Sequence, residues 1–211
     1  MKSITIIACT IALASCTVTK YNQNPSVPAI ELNKDKIIVW QFQHPDWDIG
    51  DFNTKKLIEK LKGNDCYSVV EYDSISDICY RNMINFNDSI SLGQLVLLAK
   101  LTGSRYLLLS EVIDISKKKG ILGPFLYEYE RDVYYPYPKD EGRWLTYQFQ
   151  LYDLLNQVKI YNLKVKVSAF KYESETSSGD IWRYYSLSAL NLNRIALKKG
   201  IRKLNKSLKC K

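Results

Sequence analysis

Between residues 36 and 115, short β-branched runs alternate with stretches of helical period, and this order limits the possible folds more than any other feature of the chain. Lys36 to Phe42, KIIVWQF, has the pattern of a buried strand. Pro45 and Gly50 interrupt it. Asp51 or Asn53 can then cap a helix over Thr54 to Lys62, where Leu57, Ile58 and Leu61 share a face, and Gly63-Asn64 ends it. CYSVVEY reads as the next strand and Ser74 to Tyr80 as a short helical turn. Ser91 to Leu101 repeats apolar residues at helical spacing, with Gly103 placed as a left-handed cap, and RYLLLSEVIDI is a buried strand. Strand, helix, strand, helix, helix, strand predicts an α/β layer arrangement.

Beyond Ser116 the period changes to two. Phe125, Tyr127 and Tyr129 alternate with Glu128, Glu130 and Asp132; on the return, Leu145, Tyr147, Phe149 and Leu151 alternate with Thr146, Gln148 and Gln150. An extended Tyr-rich hairpin is predicted, followed by a turn at LLNQV, a strand in KIYNLKVKVSAFKY and a loop at ESETSSGD. The longest helix is predicted from Ile181 or Tyr184 to Lys209, with Leu190, Leu197, Ile201, Leu204 and Leu208 as its apolar stripe. The expected whole is a single-domain α/β (α+β) sandwich: a mixed sheet packed by helices, with the hairpin and a long basic C-terminal helix as its appendages.

The first residues speak to location. Lys2 precedes an apolar run from Ile4 to Leu13, a secretory length short of the roughly 20 residues that span a bilayer. Leu13-Ala14-Ser15-Cys16 resembles the bacterial lipobox. The resemblance implies cleavage before Cys16, a covalent lipid on its thiol and acylation of its new amine. Several acyl chains hold a soluble domain on a membrane where one is marginal. Thr17, rather than Asp, after the cysteine implies the outer membrane, with the domain facing the periplasm. The resulting plan is a signal peptide at 1–15, a lipidated tether at 16–33 and one α/β envelope domain at 34–211.

Thirty Lys and Arg against 22 Asp and Glu give a net charge of +8. In an exported chain this balance points to anionic partners, whether another envelope protein, a cell-wall polymer or a lipid surface, and location argues against nucleic acid. From residue 194 onward there are eight basic residues and no acidic one, among them Arg194, Lys198, Lys199, Arg202, Lys203 and Lys206. These six are candidates for partner or headgroup binding; the alternative is a solvated helix face. Tyr127, Tyr129, Tyr134, Tyr135 and Tyr137 are candidates for a partner-binding ribbon or a membrane-inserting hairpin, against the simpler packing of a sheet face. Cys66 and Cys79 form a possible disulfide, with two buried thiols as the alternative, leaving Cys210 free.

The single histidine, His44, stands in QHPDWDIGD with Asp46, Asp48 and Asp51. One imidazole with carboxylates lacks the ligand set of a transition-metal site, and the spacing misses a calcium loop. With one histidine no nucleophile–base–acid set can be assembled. No catalytic residue, metal or cofactor is therefore expected beyond the lipid on Cys16.

LAKLTGSRYLLLSEV resembles the Gly-x-x-x-Gly-Ala-Asp-Tyr-Leu stretch of an envelope family. That family includes the curli-secretion (CsgG-like) lipoproteins, the amino-terminal domain of TolB and the lipoprotein activators of penicillin-binding proteins. Gly103, Tyr106 and Leu107 to Leu109 stand at matching positions. IIVWQF matches the first strand and QFQLYDLLNQVKIYN the late hairpin, with Ser104-Arg105 in place of Ala-Asp, Gln41 in place of a proline and Leu155-Asn156-Gln157 in place of the Thr-Gly turn. The resemblance implies a non-enzymatic binding or assembly module. Its alternative is a subunit of an oligomeric secretion pore, and an envelope enzyme comes third.

Overall fold

A computed structural model describes residues 18–23, 30–86, 91–115, 143–169, 171–175, 179, 181–185 and 189–210. The chain order is β1 (Val18–Gln23), β2 (Ile30–Leu32), β3 (Asp35–Val39), α1 (Trp47–Leu61), β4 (Tyr67–Glu71), α2 (Tyr72–Arg81), α3 (Leu92–Thr102) and β5 (Tyr106–Ile115). It continues with β6 (Arg143–Asp153), β7 (Val158–Ala169), β8 (Lys171–Glu175), β9 (Ile181–Tyr185), α4 (Ala189–Ser207) and β10 (Leu208–Cys210).

Six strands form one mixed sheet in the order β1-β7-β6-β5-β3-β4, parallel at β5-β3-β4 and antiparallel elsewhere. Period two sorts β6 and β7 cleanly. Leu145, Tyr147, Phe149 and Leu151, with Tyr161, Leu163, Val165 and Val167, are buried in one core beneath α1 and α4. A second core on the opposite face joins Ile38, Trp40, Leu107 and Leu109 to Ile75 and Cys79 of α2 and Leu95, Leu98 and Ala99 of α3. The α/β sandwich anticipated from the element order is thus observed, with helices on both faces of a mixed sheet.

Gly103 takes φ 62° and its N–H donates to the Ala99 carbonyl, ending α3 in the left-handed cap its position suggested. The β6–β7 turn is held by Asp153, whose carboxylate accepts from the backbone N–H groups of Leu155 and Asn156 and from Asn156 Nδ2. Gln157 sits there at φ 57°, a left-handed conformation that glycine adopts without strain.

Four features differ from the sequence expectation, three of them element boundaries. First, α1 begins at Trp47 with Asp46 as its N-cap, Oδ1 accepting from Ile49 N–H at 3.2 Å; Asp51 and Asn53 lie inside the helix. Gly50 does not break α1: a Cβ there would come within 2.8 Å of the Phe42 carbonyl, so its small size allows the helix to start close against the preceding strand. Second, Ile181–Tyr185 is a strand paired with Lys171–Glu175, so the terminal helix starts at Ala189 and stops at Ser207. Third, part of the stretch read as tether is strand: β1 pairs antiparallel with β7, and β2 pairs parallel with β10. Pairing with the domain satisfies backbone groups that these polar residues could not bury by packing alone.

The fourth correction concerns the cysteines. Cys66 is joined to Cys210, with Cα atoms 5.0 Å apart, and Cys79 is a buried free thiol in the second core. Proximity in sequence misleads here because Cys79 sits on α2, on the far face of the sheet, whereas β10 returns Cys210 to the start of β4.

Candidate functional site

The C-terminal helix is built on an unambiguous stripe. Leu192, Ala196, Leu197, Ile201 and Leu204 are buried in the first core. Arg194, Lys198, Arg202 and Lys206 recur at every fourth residue and are exposed together with Lys203, while Lys199 is half-buried. The structure therefore brings the predicted basic residues together as one surface of α4. The helix descends along the sheet: Asn193 Nδ2 donates to Asn53 Oδ1 of α1, Gly200 abuts Phe149, and Ser207 Oγ lies 3.4 Å from the Tyr161 hydroxyl.

Cys16 and the predicted hairpin tyrosines Tyr127, Tyr129, Tyr134, Tyr135 and Tyr137 lie outside the described residues. What is described is the base from which that segment departs: Ile115 of β5 pairs with Leu145 of β6.

His44 belongs to a cleft of about 350 Å³ at the carboxyl end of β3, lined among others by Gln41, Gln43, Trp47 and Glu111. Open α/β sheets commonly offer such a crevice beyond the ends of their parallel strands. Gln43 closes its floor: its N–H donates to the Ser110 carbonyl, its own carbonyl accepts from Val112 N–H, and its Nε2 donates to the Phe86 carbonyl. Burial pushes the His44 imidazole below its ordinary pKa, opposed by the backbone and charge of Asp46. The Asp46 N–H donates to His44 Nδ1 at 2.9 Å, so this ring nitrogen serves the loop that caps α1. Burial likewise raises Glu111, against the pull of Lys164 and Lys159. Trp47 stands 68% exposed at the rim. Asp48 and Asp51 belong to the first turns of α1, and Asp51 pairs with Lys55. Among the described residues, no three His, Cys, Asp or Glu side chains are grouped to hold a metal ion.

Sequence reasoning missed a buried polar cluster. Asn53 of α1, Tyr147 of β6 and Asn193 of α4 are at most 2% exposed. Asn53 Nδ2 lies 3.0 Å from the Tyr147 hydroxyl and 3.2 Å from Asn193 Oδ1, and that hydroxyl also donates to Asn193. The only advance signal was the polar residue each helix places next to its apolar stripe. Arg105, standing where the resembling family has an acid, lies 3.5 Å from Asp35 and 3.6 Å from Asp153, tying the feet of β3, β5 and β6 together.

No protein-family model matches the chain, and no curated protein sequence matches it either. Solved structures with a similar chain course include a PelC dodecamer from Paraburkholderia phytofirmans, at TM-score 0.47 and 14% identity over 93% of this chain and 99% of that one. The C-terminal domain of LpoB from Escherichia coli aligns at TM-score 0.40 and 16% identity over 64% and 83%. Lipoprotein GNA1162 from Neisseria meningitidis aligns at TM-score 0.44 and 13% identity over 82% and 99%. Among the described residues no helix is long and apolar enough to cross a membrane.

Proposed function

We propose that this chain is a lipid-anchored cell-envelope protein, held at the outer membrane by acyl chains on Cys16 and facing the periplasm, that acts as a non-enzymatic binding module for another envelope component with an anionic surface. The observation that carries this reading is the basic face of α4: Arg194, Lys198, Arg202 and Lys206 stand in one exposed row on a helix whose opposite side is locked into the core. A rigid row of cations prepaid in conformational entropy suits recognition of an acidic surface better than a mobile basic tail would. The resemblance of residues 13–16 to a lipobox supplies the anchor. The pore reading depends on Tyr127 to Tyr137, outside the described residues, and no described feature favours it.

The test is capture of envelope components by the lipidated protein, compared with a Lys198→Glu, Arg202→Glu, Lys206→Glu variant. Loss of capture by about tenfold or more, with an unchanged circular dichroism spectrum and a salt-sensitive wild type, supports the module. Equal capture by the variant removes α4 from the account. Separately, the amino-terminal peptide should carry the mass of an acylated Cys16.

A further inference from the structure

We propose that the cleft at the carboxyl end of β3 is a docking site for an extended polypeptide segment of a partner protein, which inserts a lysine or arginine side chain between Trp47 and Glu111. The site goes beyond the anchor and the basic row of α4 and depends on neither.

The main chain calls for a polypeptide. β4 pairs with β3 only as far as Val39, whose register partner Glu71 caps α2, so the chain turns out of the sheet there. The line of β3 runs one step further: Trp40 N–H donates to the Leu108 carbonyl of β5 at 3.0 Å. Successive residues of a strand offer their main-chain groups to alternate sides, so those of Gln41 face the side that β4 has left. Among the described residues, neither the N–H nor the carbonyl of Gln41 has a hydrogen-bond partner. Beyond Gln41 the chain leaves that line, since Phe42 N–H donates to Thr54 Oγ1 of α1 and Gln43 rejoins β5. An extended segment entering along the line of β4 meets the open pair of groups, as in strand addition at a sheet edge.

The cleft itself calls for a basic anchor. Its volume of about 350 Å³ is at the small end of the range for ligand sites. Although the chain carries a net charge of +8, no lysine or arginine lines the cleft, and the one formal charge in its wall is Glu111. Among the described residues, that half-buried carboxylate accepts a single hydrogen bond, from Gln150 Nε2 at 3.4 Å. Lys164 and Lys159 of β7 also act on Glu111 but stand outside the lining. At the rim, the exposed Trp47 indole has no ring or hydrogen-bond partner among the described residues. An ammonium or guanidinium between indole and carboxylate is held by cation–π attraction on one side and ion pairing on the other. Its aliphatic stem lies on the apolar wall of Phe42 and Val112.

The experiment is a titration of the full-length, isotope-labelled protein in detergent. It is followed by NMR through the Gln41 amide and the Trp47 indole N–H, the latter identified by its loss in Trp47→Phe. The probes are libraries of blocked pentapeptides with lysine or glutamate fixed at the centre, the lysine library N-methylated along its backbone, and butylammonium chloride. The lysine library should shift both signals saturably. Binding should weaken about tenfold or more for the glutamate library, for the N-methylated library and in a Glu111→Gln variant. No shift with the lysine library, equal binding of the glutamate library, or unchanged binding in Glu111→Gln would each overturn the proposal. Equal binding of the N-methylated peptides or of butylammonium would overturn it in favour of a free organic cation. The Lys198→Glu, Arg202→Glu, Lys206→Glu variant should give the same titration as the wild type, so the two sites stand or fall separately.

Discussion

Gly200 of α4 lies directly against the ring of Phe149 in β6: a Cβ built on its backbone would overlap Cε2 and Cζ of that ring. In an unconstrained helix, alanine would be preferred to glycine by about 1 kcal/mol. Here the order should reverse. Gly200→Ala is expected to destabilise the domain by about 1–3 kcal/mol in urea unfolding, because the fully buried Phe149 has no room to retreat. Phe149→Leu in the same chain should recover part of that loss, and a double-mutant cycle reads the coupling.

Cys66 and Cys210 are joined across 144 residues. Cys210→Ser should lower stability by about 2–4 kcal/mol, and reduction of the wild type should have the same effect. A non-reducing digest is expected to release the Cys66 and Cys210 peptides as one mass and the Cys79 peptide alone.

At Gln157 the backbone is left-handed, φ 57°. Gln157→Gly relieves that strain at the cost of chain entropy in the unfolded state, and a net stabilisation of up to about 1 kcal/mol is expected. A fall in the denaturation midpoint would show that the Gln157 side chain contributes more than the strain costs.

Removal of the Tyr147 hydroxyl leaves Asn53 and Asn193 facing each other in a closed interior. Tyr147→Phe should cost about 1–3 kcal/mol while leaving the fold and its circular dichroism intact. Changing Asn53 and Asn193 to alanine in addition should not add the full cost again, since the three groups act as one network.

Alkaline pH offers an independent probe. Burial pushes Tyr67 and Tyr152 up to about 12, and Tyr147 is raised as well. A phenol with a raised folded pKa favours folding fully below its unfolded value near 10, and that advantage is lost as pH rises through the folded value. Stability should therefore be level with respect to these groups up to about pH 10 and fall between about pH 10 and 12. Spectroscopic titration should show these tyrosines ionising late and together with unfolding; early ionisation of all 16 would contradict their burial.

Much of the architecture could be read from periodicity, because the inner strands of the sheet and both of its helical layers bury a face whose spacing is local. Leu57, Ile58 and Leu61 announced α1, and the alternation from Leu145 to Leu151 announced β6. The failures arise where the deciding contact is a tertiary one or a matter of backbone fit, which periodicity does not register. Asp46 caps α1 because the loop from β3 folds over its first turn, tight against Gly50. Cys66 meets Cys210, and the polar residues of β1 become strand, only because β10 and β7 are already there to receive them. The basic row was visible as composition, whereas its isolation from the face of β7 that bears Lys164 and Lys166 depends on layer assignment.

β2 and β10 zip together three residues near each end of the folded region, Ile30 to Leu32 against Leu208 to Cys210. If the chain is exported from its amino end, as the proposed anchor requires, β2 would lack its mate until residue 210 has crossed. Closure of this pair would then wait on β10, and so would the covalent lock between Cys66 and Cys210.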